Sequence, residues 1–269
     1  MNILDKIIES KKNSLKEKKD WYSIKKLEAF PFFERSCESL AKRLNEKNTT
    51  GIIAEFKRRS PSKGIINDKT ALSEVVSDYE AYGAAAISIL TDEEYFGGSN
   101  DDMMKAREIV DIPLLRKDFI IDECQVVEAK AIGADVILLI AACLTQPEVK
   151  HLSKLAKNLG LGVLLELHDE KELEHICDEV GLIGVNNRNL KTFEVDIEQS
   201  LKMAQKIPVD KIKIAESGID SVETIRLFKE NGFKGFLIGE YFMKQDDPGK
   251  AFKEFVNLLK LLPPGAEEF

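Results

Sequence analysis

Charged and amide side chains stand at the ends of five short apolar runs in this chain. They comprise three carboxylates, two lysines, an arginine and an asparagine: Glu55, Glu166, Glu216, Lys57, Lys117, Arg188 and Asn186. Carboxylates and amines held together can transfer protons as general acids and bases. Cations in the same place can bind an anionic substrate. If the fold gathers these ends, the set predicts proton-transfer chemistry on an anion.

These ends belong to a set of eight apolar runs, five of which follow closely on a glycine. The runs are 51–57, 82–90, 112–119, 132–140, 159–167, 180–185, 211–217 and 231–239. A glycine suits the left-handed position that closes a helix. Short runs rich in Ile, Leu and Val are typical of strands in a buried parallel sheet. The pattern therefore predicts eight parallel strands.

The segments between the runs have helical spacing, which places the strands in β/α units. Leu72, Val75 and Tyr79 share one helix face, and Thr145 predicts a helix start. Strand ends recur every 20 to 35 residues or so, roughly as in a barrel with one β/α unit per strand. The chain has no G-x-G-x-x-G, which an open dinucleotide-binding sheet favours. We predict an α/β fold: a (β/α)8 TIM barrel, residues 49–269, with an N-terminal helical extension.

Side-chain parity indicates which strand-end residues face the barrel interior. Alternate residues of a strand point inward, and active sites in this fold lie at the carboxyl ends of the strands. Glu166 is in phase with Leu164 and Glu216 with Ile214, and the other strand-end groups fall in the same inward phase. Such a convergence of charge indicates a catalytic site. The alternative is a lattice of ion pairs that only closes the top of the barrel.

Two neighbouring loops predict a phosphate site. Gly218 follows the seventh run and Gly239 the eighth, and each precedes a predicted helix start. Glycine lets backbone N–H groups approach an anion closely, and a helix N-terminus favours negative charge. The loops after strands 7 and 8 commonly hold phosphate in barrels. The alternative is that both glycines serve only tight strand-to-helix turns.

Residues 1–48 lie outside the repeat and form the predicted extension. Ile3, Leu4 and Ile7 make an amphipathic helix face, and 36–44 predicts a second short helix. The segment is too short to bury a core of its own, so we expect it to pack on the barrel.

Composition excludes several classes of protein. The chain has 269 residues and a net charge of −8, which argues against a nucleic-acid partner. It has no apolar run near the roughly 20 residues that span a membrane, and its start does not resemble a signal peptide. The four cysteines are widely spaced without a C-x-x-C pair, which predicts reduced thiols in a cytoplasmic protein and no metal site.

The strand-end segments, taken in order, resemble those of the indole-3-glycerol-phosphate synthase family. The most specific is IIAEFKRRSPSKG at 52–64, and six later segments are similar to family motifs. They read ILTDEEYFGGS, PLLRKDFIID, LLELHDEKEL, VNNRNLKTFEVD, IAESGI and LIGEYFM. The resemblance covers nearly the whole chain, including the extension.

The resemblance implies a carboxy-lyase of tryptophan biosynthesis. The substrate would be 1-(2-carboxyphenylamino)-1-deoxyribulose 5-phosphate, which undergoes ring closure, loss of CO2 and loss of water to give indole-3-glycerol phosphate. It implies no metal and no organic cofactor. We expect a phosphorylated small molecule as the ligand and a monomer or weak homo-oligomer as the assembly.

The resemblance also implies catalytic roles. Lys117 resembles the family's principal general acid, and we expect other cations and apolar walls to lower its pKa. Glu166 matches the carboxylate that transfers protons in dehydration. Glu55 and Asn186 match groups that hold substrate hydroxyls and steer the lysines. Lys57 matches a lysine near both the phosphate and the reacting carbon.

Further residues match binding positions of the family. Arg188 would bind the phosphate or an adjacent oxygen, Glu216 and Ser217 would lie near the ribulose chain, and Ser60 with Pro61 lies in the first loop. The expected phosphate loops contribute Gly218, Gly239 and Glu240. Candidates for the apolar wall around the anthranilate ring are Phe96, Phe119, Leu138, Leu190 and Leu237. The leucines fit an ordinary core equally well.

Glu240 departs from relatives that have a small hydroxyl residue at its position. Its carboxylate would have to turn away from a bound phosphate.

Three other functions remain open. One is a Schiff-base aldolase with Lys117 or Lys57 as nucleophile. Another is phosphoribosylanthranilate isomerase, a shorter barrel that should lack the extension and EFKRRSPSKG. The third is a barrel that binds a metabolite or partner protein without catalysis, which has no need of paired acids and bases.

Overall fold

The eight predicted strands form a closed parallel barrel. The computed structural model describes residues 3–18, 24–189 and 194–261. The strands are β1 (Ile52–Phe56), β2 (Ala86–Leu90), β3 (Leu114–Lys117), β4 (Val136–Ile140), β5 (Gly162–Leu167), β6 (Leu182–Asn186), β7 (Ile212–Glu216) and β8 (Phe233–Ile238). Each strand pairs in parallel with its neighbour in chain order, and β8 closes on β1. The predicted fold class is confirmed.

Helices surround the barrel and precede it. They are α1 (Ile3–Lys18), α2 (Ile24–Glu28), α3 (Leu40–Leu44), α4 (Leu72–Ala81), α5 (Glu93–Phe96), α6 (Asn100–Ile109), α7 (Glu123–Ala131), α8 (Gln146–Asn158), α9 (Ile197–Ala204), α10 (Val222–Glu230), α11 (Glu240–Met243) and α12 (Pro248–Leu261). Thr145 caps α8 in a capping box with Glu148, as its position predicts.

Two elements differ from the predicted pattern. The connection after β5 contains a 3₁₀ helix, Glu170–His175, in place of an α-helix. Here Glu172 folds back and accepts a hydrogen bond from the backbone N–H of His168. The helix predicted over 36–44 begins only at Leu40, because the Ser39 hydroxyl caps it there.

Two apolar layers give the barrel its stability. The inner layer fills the barrel with alternate strand residues such as Ile53, Leu115 and Leu164. The outer layer packs the opposite strand faces against the helices, including Phe56 and Tyr79. Burial of these side chains supplies the main free energy of folding. It also fixes which strand residues reach the barrel interior.

The lower end of the extension is held beneath the barrel. Asp135, which precedes β4, accepts hydrogen bonds from Arg35 and from the N–H of Glu38, at 2.5 and 2.7 Å. From there α3 places Leu40 and Leu44 in the inner layer, where they close the bottom of the barrel. The extension therefore belongs to the barrel's own core.

A membrane-spanning helix is not found: none of the helices within the described ranges has the length and apolar character that crossing a bilayer requires.

Candidate active site

A cavity of about 330 Å³ lies at the carboxyl ends of the strands. Its lining includes every predicted site residue that the structure describes: Glu55, Lys57, Ser60, Pro61, Phe96, Lys117, Phe119, Leu138, Glu166, Asn186, Arg188, Glu216, Ser217, Gly218, Leu237, Gly239 and Glu240. Leu190 lies outside the residues that the structure describes. The inward parity of the strands thus brings the expected groups into one chamber.

Lys117 lies at the centre of the charged groups. Its Nζ is 2.8 Å from Glu166 Oε2 and 3.4 Å from Glu216 Oε2. Asn186 Nδ2 donates to the other Glu166 oxygen at 2.9 Å. These three contacts therefore connect side chains from strands β3, β5, β6 and β7.

The expected lowering of the Lys117 pKa is wrong. Burial alone would lower the pKa, but Glu166, Glu216 and Glu55 outweigh it and raise the pKa of Lys117. Carboxylates, and not other cations, are the closest charges to this amine. Lys117 is therefore firmly protonated in the free site.

The two carboxylates beside Lys117 have opposite electrostatics. Burial disfavours the charge on Glu166, yet contact with Lys117 and His168 holds the pKa of that carboxyl well below its usual range. For Glu216, burial and the neighbouring Glu166 raise the pKa in spite of Lys117. Like charges this close do not both ionise readily, so the site favours the charge on Glu166 and the proton on Glu216.

Glycines make room for two of these carboxylates. A Cβ on Gly184 would lie 2.1 Å from Glu216 Oε1, and one on Gly239 would lie 2.5 Å from Glu55 Oε1. Glu55 in turn pairs with Lys57, 2.6 Å away, across one residue of the chain. The absence of side chains at these two glycines lets the acids reach the interior.

The turn after β7 holds the backbone in an unusual conformation. Ser217 and Gly218 have φ values of +67° and +68°, and within the described ranges Ser217 is the only such residue that is not glycine. Asn187 Nδ2 donates to the Ser217 carbonyl at 2.7 Å and stabilises the turn. Left-handed residues at a functional site store strain that the surroundings must hold.

The Glu240 carboxylate faces cations at the edge of the cavity. It lies 3.7 Å from Arg188 Nη2 and 3.6 Å from Lys63 Nζ. Lys63 belongs to a short hairpin after β1, formed by Arg59–Ser60 and Gly64–Ile65. Glu240 thus bridges the sixth strand end and the first loop in the free protein.

The extension supplies an apolar roof. Ile3, Leu4 and Ile7 of α1 line the cavity, together with an apolar wall that includes Phe96 and Phe119, whose ring centres are 6.1 Å apart. The helical spacing predicted the apolar face of α1. It gave no sign that the face covers the strand ends, because sequence periodicity does not identify the partner of a helix face.

Three polar residues near the site were missed. Lys11 Nζ binds Asp92 and Asp118 at 2.9 and 2.8 Å. Asn187 holds the Ser217 turn. His168 lies 2.9 Å from Glu166. His168 has the inward parity of Glu166, which was an available signal. The other two depend on contacts between distant segments.

No group of three or more His, Cys, Asp or Glu side chains in the described portions of the chain is arranged to hold a metal ion.

The fold and site define a (β/α)8-barrel enzyme with acid–base groups at its mouth. A family model described as indole-3-glycerol phosphate synthase matches residues 4–255. The chain belongs to this family, whose members act on a phosphorylated small molecule.

Curated relatives support the assignment over nearly the full length of the chain. An indole-3-glycerol phosphate synthase of Bacteroides thetaiotaomicron is 46% identical over 259 residues, covering 96% of this chain and 99% of the relative. One of Acinetobacter baylyi is 41% identical over 262 residues, covering 97% of each. This coverage includes the N-terminal extension, which phosphoribosylanthranilate isomerase was expected to lack.

Solved structures with low sequence identity share the fold. The tryptophan synthase α-subunit of Pyrococcus furiosus matches with a TM-score of 0.60 at 15% identity, covering 79% of this chain and 98% of that one. A thiamine phosphate pyrophosphorylase from Pyrococcus furiosus matches with a TM-score of 0.59 at 17% identity, covering 82% and 98%. Both matches bear on the barrel alone.

Proposed function

We propose that this barrel converts 1-(2-carboxyphenylamino)-1-deoxyribulose 5-phosphate into indole-3-glycerol phosphate, CO2 and water. The observation that carries the proposal is the position of Lys117, whose Nζ lies between Glu166 and Glu216 at the centre of the cavity. A proton donor flanked by one ionised and one protonated carboxyl suits a sequence of protonation and dehydration.

Lys117 acts as the acid in ring closure. As the aryl carbon attacks C2, the carbonyl oxygen gains negative charge and becomes a stronger base than the bound amine. The proton then moves from Lys117 to this oxygen. Glu216, protonated and 3.4 Å from Lys117 Nζ, is placed to return a proton to the amine. Loss of CO2 restores the aromatic ring.

Glu166 acts in the dehydration that follows. With Lys117 re-protonated by Glu216, the C2 hydroxyl leaves as water with a proton from Lys117. As Lys117 gives up that charge, the Coulomb interaction that keeps Glu166 ionised is lost, and the carboxylate takes the proton from C1. Asn186 keeps Oε1 oriented through its 2.9 Å hydrogen bond. Glu55, paired with Lys57, holds substrate hydroxyls and positions this second lysine.

The substrate phosphate binds at the loops after β7 and β8. Ser217, Gly218 and Gly239 present backbone N–H groups there, and α11 begins directly after Gly239. Arg188 and Lys57 supply positive charge. Glu240 must release Arg188 as the phosphate enters, because both anions compete for the guanidinium.

The anthranilate ring lies between the apolar wall and the roof. Phe96, Phe119 and Leu237 form the wall, and Ile3 and Leu4 form part of the roof. Apolar surfaces on both sides of a planar ring bury its faces and hold the aryl carbon near C2.

We take residues 1–48 as the extension and 49–269 as the catalytic barrel, acting as a monomer or weak homo-oligomer. The cysteines Cys37, Cys124, Cys143 and Cys177 are free thiols, which supports a reducing cytoplasmic location.

The test is a fluorescence assay for indole-3-glycerol phosphate with purified protein, the proposed substrate and EDTA. Turnover is expected. A folded protein without turnover would overturn the proposal. Borohydride trapping in the presence of a keto-sugar phosphate separates the aldolase alternative, since a covalent lysine adduct would support that reaction.

A further inference from the structure

The segment after β5 places an imidazole between two carboxylates. His168 Nε2 lies 2.9 Å from Glu166 Oε1, and Nδ1 lies 3.6 Å from Glu172 Oε2. The side chains of Glu166, His168 and Glu172 are only 4, 10 and 14% exposed. Three ionisable groups are therefore aligned from the cavity toward the surface, largely shielded from water.

Glu172 fixes the outer side of the ring. Its Oε2 accepts a hydrogen bond of 2.6 Å from the backbone N–H of His168 itself. The same oxygen therefore faces both the main chain and Nδ1 of one residue. With Nδ1 directed outward, Nε2 must face Glu166. Neither ring nitrogen has hydrogen-bond alignment, so attraction in the two contacts depends on a charge on the ring.

Glu166 is held from three directions. Lys117 contacts Oε2, while Asn186 and His168 both contact Oε1. Lys117 and Asn186 line the cavity, whereas His168 does not. The imidazole can therefore influence the substrate only through the carboxylate that it touches.

We propose that His168 is a positioning residue, which as an imidazolium backed by Glu172 keeps Glu166 ionised and aimed at Lys117. The inference rests on the proposed acid–base function of Glu166. Groups behind a catalytic side chain commonly set its orientation and basicity in this way. When Lys117 loses its charge, His168 is the cation that remains in contact with Glu166.

The surroundings of His168 agree with a charged ring. Burial opposes the charge, but Glu166 and Glu172 outweigh it and raise the pKa of His168 to about 10. Beyond these two carboxylates, the Cys143 thiol lies within electrostatic range of Glu166, Glu172 and Asp5. Lys117 acts on Glu166 from the opposite side.

The test compares the pH dependence of kcat in His168→Leu and His168→Gln with wild type. Removing the cation should raise the Glu166 pKa in the reacting complex, so the acidic limb of kcat should move to higher pH by about one unit, with kcat reduced. The Gln side chain retains a hydrogen-bond donor but carries no charge. We therefore expect His168→Gln to have a higher kcat than His168→Leu, with its acidic limb still displaced from that of wild type. His151→Leu is the matched control, because its pair with Glu123 is 62 and 58% exposed. A lower kcat with an unmoved limb would overturn the proposal.

A second measurement does not depend on turnover. The chain has three histidines, so NMR of the ring carbons can identify His168 by the signal that is lost in His168→Leu. We expect a His168 pKa of about 10 in wild type and a lower pKa in Glu172→Gln. A ring that is neutral at pH 7 would overturn the proposal. A charged ring in a protein without turnover would instead show that the proposed function fails while the ionic pair stands.

Discussion

The ammonium of Lys11 lies 2.8 Å from Asp118 Oδ1, next in sequence to Lys117. Asp92 holds the same ammonium at 2.9 Å, and Asp118 also accepts hydrogen bonds from Thr91 and Arg116. The side chains of Lys11, Asp92 and Asp118 are 16, 3 and 3% exposed. This buried contact joins α1, the roof helix, to the segments that follow β2 and β3.

Replacing this lysine should loosen the roof. Lys11→Met leaves two buried carboxylates without their shared cation, which we expect to lower the free energy of unfolding by about 1–3 kcal/mol. KM should rise more than kcat falls, since α1 lines the cavity without donating a catalytic group. Urea unfolding and steady-state kinetics measure both. Lys12→Met, at an exposed position on the same helix, is the control. Equal effects from the two variants would contradict the role of Lys11.

Lys117→Ala should remove turnover and leave the fold intact. Loss of a positioned acid lowers kcat by roughly 10²–10⁴-fold. Circular dichroism checks the fold, and the fluorescence assay measures the rate. Lys105→Ala, on the exposed side of α6, serves as the comparison. Activity within tenfold or so of wild type would rule Lys117 out as the principal acid.

Gly218→Val should weaken the binding of phosphate-bearing ligands. A Cβ at this position would lie 2.4 Å from Val195 Cγ1, and the φ of +68° disfavours any side chain. We expect the affinity for the product to fall by about tenfold or more, equivalent to about 1.4 kcal/mol. Calorimetric titration measures it. Gly181→Val is the matched change, because open space surrounds Gly181. Unchanged affinity would remove this loop from the phosphate site.

Glu240→Gln should strengthen the binding of inorganic phosphate. The neutral amide no longer competes for Arg188 and Lys63. Because Glu240 is 39% exposed and its contacts exceed 3.5 Å, the gain should be modest, about 0.5–1 kcal/mol or roughly a few-fold. Competition of phosphate with substrate gives the affinity. Weaker binding in the variant would mean that Glu240 supports the anion and does not oppose it.

Stability above neutral pH should report on His168. Its pKa rises from 6.5 in the unfolded chain to about 10 in the fold. The stabilisation is therefore fully present below pH 6.5 and is lost as pH rises through about 10. Unfolding free energies of wild type and His168→Leu should converge over this window, at no more than about 1.4 kcal/mol per pH unit. A difference that does not change with pH would exclude a charged ring.

Much of the site could be predicted because strand parity and barrel geometry act together. In a parallel barrel, alternate side chains point inward and all carboxyl ends meet at one mouth. Glu166 and Glu216 could therefore be placed together although they are fifty residues apart in sequence. The resemblance to family motifs supplied the expected roles.

The electrostatics could not be predicted in the same way. The Lys117 pKa depends on which charges come within a few ångströms, and parity does not give distances. Sequence showed both cations and carboxylates at the mouth. Only the structure showed that Lys117 touches Glu166 and Glu216, while Lys57 pairs with Glu55.

The roof of the cavity comes from a segment that takes no part in strand pairing. Residues inside the barrel must satisfy the packing of the inner layer as well as catalysis. Ile3 and Leu4 of α1 also line the cavity, but they do not pack in the inner layer of the barrel. Substitutions at these positions can therefore alter the ceiling of the cavity without repacking the inside of the barrel. In the extension, residues that shape the cavity can therefore change separately from the residues that the barrel needs to fold.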